Sequence, residues 1–290
     1  MKPVLNELGF TQLPSSGEDW PRVWWVGSGL LTILPIHAAG YHDSSPPETA
    51  IDRVISSYAS TVKSLSYARE RLAKANEFKL KEKAILVAMP TTPEQNSLPS
   101  VETEVEDLRI LFFNTSIDTT VMPNRTKAEV LSELPKHSIV HFACHGYPAD
   151  DPSQSSLLLE DWKTASLTVS DLTSLNIESA NFAYLSACHT SAARDFRLLD
   201  ESISLSSAIQ LSGYPSVVGS LWEVTDNYSA EVAKDVYTWI LEGGGGLDTQ
   251  RSGEGLHRAV RVLRDKTRID SRSAINNDPL VWAPYIHVGI

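Results

Sequence analysis

Ser138-Ile-Val-His-Phe-Ala-Cys-His145-Gly146 and Asn181-Phe-Ala-Tyr-Leu-Ser-Ala-Cys188 are two short apolar runs, each closing on a reactive side chain. Runs of four to eight apolar residues with no alternation read as strands buried on both faces. An open α/β sheet presents its chemistry at the carboxyl ends of such strands. If the two are parallel neighbours, the imidazole of His145 and the thiol of Cys188 emerge at one edge. A thiol beside an imidazole becomes a thiolate near neutral pH, and the thiolate is the nucleophile. The His precedes the Cys by 43 residues.

Outward from these runs, helical and extended segments alternate. Upstream, Lys83 to Met89 reads as a buried strand stopped by Pro90, and Val62 to Phe78 as an amphipathic helix with Leu65, Ala68, Leu72 and Ala75 at helical spacing. Val101 to Leu111 and Thr126 to Leu134 read as helices, the second opened by a Thr126–Glu129 capping box. Arg22 to Val26 and Leu30 to Leu34 suggest a strand pair across a Gly-rich turn, and Arg53 to Tyr58 is ambiguous.

Between the two site strands, Tyr147 to Ser156 reads as a loop. Leu157–Leu159 and Leu167–Val169 are short strands around a turn, and Ser170 caps a brief helix. Downstream, His189 to Leu199 is a surface loop, Glu201 to Leu211 a helix stopped by Gly213, and Pro215 to Trp222 a buried strand. Asp226 to Leu241 and Gly255 to Arg264 are helices joined through the Gly243–Gly246 linker, and Trp282 to Ile290 is a terminal strand. The pattern predicts an α/β fold: a mainly parallel sheet flanked by helices on both faces.

Composition narrows the class. The 290 residues are 42 % hydrophobic and 21 % charged, enough for a sizeable core. No apolar run reaches the roughly 18–20 residues of a membrane span, and the first residues lack the pattern of a signal peptide. With 36 acidic against 25 basic residues the formal net charge is −11, which disfavours nucleic acid and anionic membrane as partners. Cys144 and Cys188 are the two cysteines, both in apolar strands; a reducing cytoplasm is the expectation.

The His141-Phe-Ala-Cys-His145-Gly146 string, Leu185-Ser-Ala-Cys188-His-Thr, Ser216-Val-Val-Gly-Ser-Leu-Trp222-Glu-Val-Thr-Asp226 and Trp282-Ala-Pro-Tyr resemble the CHAT-domain peptidases, fungal members among them. Trp24-Trp-Val-Gly and Leu34-Pro-Ile-His-Ala-Ala-Gly40 extend the likeness to nearly the whole chain. The resemblance implies a caspase-like, separase-related cysteine endopeptidase with His145 and Cys188 as its dyad. It implies residues 1–80 as the N-terminal portion of the module and 81–290 as the catalytic portion. It also implies a protein or peptide substrate, no cofactor, and regulation as the C-terminal effector of a larger protein, such as one with a tetratricopeptide-type region. The alternatives are a catalytically silent interaction module on the same fold and a small-molecule hydrolase with a Cys nucleophile.

Beside the dyad, the backbone N–H groups of Gly146 and Cys188 are candidates to hold the oxyanion, a contribution of about 3–4 kcal/mol per donor where measured. In the related separases a Leu-Trp-Asp-Val-Thr-Asp stretch supplies the acid that receives an arginine before the scissile bond. Here the stretch is Leu221-Trp-Glu-Val-Thr-Asp226, so Asp226 is the leading pocket acid, with Trp222 and Glu223 beside it. Against this, Asp226 also stands where a helix N-cap is expected. Asp150, Asp151, Asp195 and Asp200 are secondary candidates that read more simply as solvated loop acids. Zinc is disfavoured: alternation along a strand sends Cys144 and His145, and likewise Cys188 and His189, to opposite faces. His141 and His37 read as structural.

Overall fold

The computed structural model describes residues 1–14, 19–42, 48–78, 81–115, 117–187, 203–242, 246–269 and 278–290. The N-terminal part carries α1 (Lys2–Glu7), β1 (Arg22–Trp25), the two-residue strands β2 (Gly40–Tyr41) and β3 (Glu48–Thr49), β4 (Ile55–Tyr58) and α2 (Val62–Phe78). Next come β5 (Lys83–Ala88), α3 (Ser100–Asn114), β6 (Asp118–Pro123), α4 (Lys127–Glu133), β7 (Ile139–Ala143), β8 (His145–Tyr147) and β9 (Ser156–Leu158). Then follow α5 (Trp162–Ala165), β10 (Leu167–Thr168), α6 (Val169–Thr173), β11 (Phe182–Ser186), α7 (Leu205–Leu211) and β12 (Ser216–Ser220). The chain closes with α8 (Asp226–Leu241), α9 (Ser252–Ile269), α10 (Pro279–Trp282) and β13 (Tyr285–Gly289).

Eight strands form the central sheet in the order β1-β4-β13-β12-β11-β7-β5-β6. Every pairing is parallel except β12 with β13. The sheet therefore has two blocks of opposite direction: five strands from β12 to β6, and three from β13 to β1. Residues 1–80 contribute β1 and β4 to this same sheet.

The middle strands are apolar throughout because both faces are covered. Even positions of β11, Phe182 and Tyr184, pack with Ile139 and Ala143 against residues of α3, α8 and α9. Odd positions, Ala183 and Leu185, pack with Val140, Phe142 and Cys144 against α4, α6 and α7. Fully burying a side chain of this size contributes roughly 1.5–3 kcal/mol, so the two clusters hold β7 and β11 rigidly in register, Ser186 opposite Ala143.

Several elements differ from the sequence reading. Gly29–Thr32 is a 3-10 turn, not the second strand of a hairpin; β1 pairs instead with β4, the segment left ambiguous. Leu30, Leu31 and Leu34 are exposed, so their hydrophobic run does not mark burial. β6 is an edge strand with mostly exposed positions, Thr120 and Val121 among them, and carries no apolar pattern to betray it. The cap of α6 is Thr168, in a capping box with Asp171, rather than Ser170. The box at Thr126 and Glu129 forms as expected. The expected loop at 189–199 and most of the 243–246 linker lie outside the described residues.

Candidate active site

β7 and β11 are adjacent and parallel, so their carboxyl ends lie side by side. The chain just beyond each end is tied down. The Cys144 N–H donates to the Ser186 carbonyl at 3.3 Å, and the Ser220 hydroxyl on β12 donates to the Ala187 carbonyl at 2.9 Å. These bonds fix the residue before His145 and the residue before Cys188. Cys188 itself, with His189, Asp195 and Asp200, lies outside the described residues.

His145 does not end the central strand. β7 stops at Ala143, and His145 opens β8 in a separate three-stranded sheet, paired antiparallel with Leu158 of β9. This ribbon leaves the sheet edge and carries Gly146 opposite Leu157. The imidazole is half-buried, and its Nε2 lies 2.8 Å from the Asn96 carbonyl oxygen. A carbonyl only accepts, so Nε2 carries the proton and donates. In the neutral ring Nδ1 is then the basic nitrogen. Cys144, one residue earlier, is buried in the opposite cluster with α4, α6 and α7.

The loop that supplies the Asn96 carbonyl is itself pinned. The Trp162 indole N–H of α5 donates to the Pro93 carbonyl at 2.9 Å, and Lys163 pairs with Glu94. Leu98 N–H returns to the Pro90 carbonyl at 2.9 Å. Glu94 sits at φ 59°, a left-handed conformation unusual for a non-glycine residue.

On the α3–α8 face below the edge lies a buried polar cluster that the sequence reading passed over. Glu104 of α3 accepts from the Ser186 hydroxyl at 3.1 Å, and Ser186 Oγ is 2.7 Å from Ser229 Oγ of α8. Since Ser186 has one proton and gives it to Glu104, Ser229 donates to Ser186. Glu104 Oε1 also lies 3.2 Å from His141 Nε2, without the geometry of a hydrogen bond. Both residues are essentially inaccessible, at 2 % and 0 %. The His141 ring stacks on Tyr184, centroids 5.1 Å apart. Burial pushes the Tyr184 and Tyr237 phenols well up, with the Glu104 charge adding to both. A signal for Glu104 was present: it interrupts the Val101, Val105, Leu108, Phe112 stripe, an acid on the apolar face of its helix.

The other candidates are dispersed. Asp226 is the first residue of α8, and Thr225 occupies the cap position in its place. The Trp222 indole donates to the Leu280 carbonyl at 3.0 Å, which ties the strand-to-helix turn to α10, while Glu223 is exposed. Asp151 caps a 3-10 turn by accepting from Ser153 N–H at 2.9 Å, and Asp150 is exposed. His37 is buried against Tyr58, its Nδ1 2.7 Å from the phenol oxygen. Among the described residues no group of three or more His, Cys, Asp and Glu could hold a metal ion. No helix among them is long and apolar enough to cross a membrane.

The CHAT domain family matches residues 1–290, and the chain belongs to it. The structure is similar to that of separase in the separase–securin complex of Saccharomyces cerevisiae: TM-score 0.61, 14 % identity, over 93 % of this chain and 15 % of that one. It is also similar to the complex of pro- and mature domains of RgpB from Porphyromonas gingivalis, with TM-score 0.59, 10 % identity, and 100 % and 69 % covered. The Arg-specific cysteine proteinase gingipain R gives TM-score 0.53 and 12 % identity over 82 % of this chain and 55 % of that one. The chain thus spans about half of the gingipain chain and a small part of the separase chain. At these identities the likeness shows the fold, that of the caspase-like cysteine peptidases. No curated protein matches the sequence.

Proposed function

We propose that this chain is a cysteine endopeptidase in which His145 and Cys188 form the catalytic dyad. The observation that carries the reading is the bond from His145 Nε2 to the Asn96 carbonyl, since it selects the tautomer in which Nδ1 is a base. In this mechanism Nδ1 takes the Cys188 thiol proton, and the thiolate adds to the peptide carbonyl. The backbone N–H groups of Gly146 and Cys188 receive the oxyanion. Collapse breaks the C–N bond, the departing amine takes the proton from His145, and a thioester remains. Water, giving its proton to His145, then adds to the thioester and frees the acid and the thiol.

The substrate is a protein or peptide with a basic residue before the scissile bond. The Arg-specific gingipain shares the fold, and the −11 formal charge favours cationic substrates. Asp226, at the start of α8, is the leading acid for that residue, with Trp222 and Glu223 flanking it. Regulation by another protein or segment fits the separase–securin and RgpB pro-domain complexes.

A peptide-library cleavage profile of the wild type beside Cys188→Ala tests the reading. Cleavage by the wild type alone supports it. No cleavage by either, with intact fold, leaves the chain as an interaction module.

A further inference from the structure

We infer that Ser220 aims the oxyanion-binding N–H of Cys188, by holding the peptide group that joins Ala187 to the nucleophile; this rests on the peptidase reading for its place in the reaction. Ser220 ends β12 and is buried, at 2 % exposed. Its hydroxyl donates to the Ala187 carbonyl at 2.9 Å. A carbonyl only accepts, so the single proton of Ser220 is committed to this bond. One residue earlier, the Ser186 carbonyl accepts from the Cys144 N–H at 3.3 Å. β11 lies between β7 and β12 in the sheet. The last two carbonyls before the nucleophile are thus held from opposite sides, Ser186 from the β7 side and Ala187 from the β12 side.

The Ala187 carbonyl shares one planar unit with the amide that follows it. In a trans peptide that N–H points opposite to the C=O. A carbonyl turned to β12 therefore turns the next N–H towards the β7 side. On that side the chain leaves β7 at Ala143, passes Cys144 and continues as β8 with Gly146, the other proposed donor. Ser220 thereby directs one donor towards the strand that delivers the second. A donor whose direction is fixed beforehand needs no reorganisation when charge develops on the oxygen. Without the hydroxyl the peptide plane is free to rock about its flanking torsions. Ser220 is thus a positioning residue: it acts through the Ala187 peptide and touches no substrate.

The test compares two reactions of the same thiol. Attack on a peptide carbonyl puts negative charge on oxygen. Alkylation by iodoacetamide displaces iodide from a saturated carbon and puts none there. Wild type and Ser220→Ala, which differ by one oxygen, are compared in kcat and KM for the best peptide of the library profile, and in the alkylation rate of Cys188 at pH 7. Removing an oxyanion donor outright costs roughly 100- to 1,000-fold, so a donor left in place but unheld should cost roughly 10- to 100-fold in kcat. KM should stay within threefold and alkylation within twofold. An unchanged kcat in folded Ser220→Ala overturns the inference. So does alkylation that falls as far as kcat, since that would mean a general loosening of the site. If Ser220→Ala does not fold, Ser220→Cys, a weaker donor of similar size, is judged by the same criteria, with alkylation at Cys188 read by peptide mass spectrometry. A folded wild type that cleaves nothing is a failure of the peptidase reading and overturns both; a wild type that cleaves no faster than Ser220→Ala overturns this inference alone.

Discussion

His145 Nε2 and the Asn96 carbonyl oxygen lie 2.8 Å apart, which joins the imidazole to a backbone group 49 residues away rather than to a carboxylate. A carbonyl only accepts, so it holds the proton on Nε2 and leaves Nδ1 as the nitrogen free to take one. Cys188 should therefore be activated by proton transfer within the dyad. Iodoacetamide labelling of Cys188 as a function of pH reports this directly. In the wild type the rate should be appreciable at neutral pH. In His145→Ala it should follow an ordinary thiol, rising only towards pH 8.5. Superimposable profiles would show that the two groups do not communicate.

Cys144 separates nucleophile from structure. It is buried in the cluster that packs against α4, α6 and α7, whereas the half-buried His145 is held by the Asn96 carbonyl. Cys144→Ala should keep most peptidase activity and lose about 1 kcal/mol of stability as a small core truncation. Cys188→Ala should abolish activity and leave the melting temperature nearly unchanged. Equal loss of activity in both folded variants would reject Cys188 as the nucleophile.

For Asp226, the cap question and the specificity question now part. Thr225 holds the cap position and Asp226 is the first helical residue, where a negative charge interacts favourably with the helix dipole by 0.3–1 kcal/mol in typical cases. Asp226→Asn should thus cost well under about 1 kcal/mol of stability. If the acid also receives the substrate, the same change lowers kcat/KM for arginine peptides at least tenfold. A library dominated by apolar or acidic residues before the scissile bond would reject the basic pocket.

The parts legible in the sequence are those where burial dictates residue type. Residues 139–143 and 182–186 are covered on both faces, so their runs carry no polar interruption except His141 and the terminal Ser186, and those two touch Glu104. The helices Val62–Phe78 and Asp226–Leu241 match their apolar spacing to the residue. Where the chain meets solvent the pattern fails. Thr119 and Thr120 on the sheet edge look like loop, and Leu30 and Leu31, apolar yet exposed, look like strand. The pairing of β1 with β4 joins segments about 30 residues apart, which no local signal encodes. The Asn96 carbonyl is a backbone atom and leaves no trace in residue type.

Acid should weaken the fold through buried histidines. Burial pushes His37 down to about 4, with the Ala283 backbone partly opposing, and His257 down to about 3 through burial and then the neighbouring Arg261. Burial also holds His287 well below its usual range; its two nitrogens lie 2.9 Å from the Ser57 and Ser216 hydroxyls. The unfolded chain binds protons on these rings near pH 6.5, before the folded one does. Stability is therefore complete above about pH 6.5 and falls as pH drops towards 4. His37 alone contributes at most roughly 3 kcal/mol to this loss. Urea unfolding at pH 7, 5.5 and 4.5 should show His37→Asn losing less stability on acidification than the wild type. Parallel slopes would mean that His37 does not titrate across the transition.

Trp162 should matter to activity although it stands outside the dyad. Its indole N–H holds the Pro93 carbonyl at 2.9 Å, and Lys163, the next residue, holds Glu94, so α5 anchors the loop that presents the Asn96 carbonyl to His145. Trp162→Phe keeps an aromatic ring of similar position and removes only the donor. Pro93 is in an exposed loop where water replaces the lost bond, so stability should fall by no more than about 1.5 kcal/mol. The loop, however, loses one of its anchors, and the imidazole spends less time in the orientation set by the Asn96 carbonyl. Misorientation acts on the chemical step rather than on substrate binding. The expected outcome is a kcat reduced roughly three- to tenfold with KM little changed, together with slower iodoacetamide labelling of Cys188 at pH 7. At pH 9.5 the labelling rate should converge on the wild type, because a thiol ionised by solution needs no base. A rise in KM with unchanged kcat would place Trp162 in substrate binding instead. Labelling at pH 7 as fast as in the wild type, in both Trp162→Phe and the Trp162→Phe/Lys163→Ala double variant, would show that the loop does not position His145.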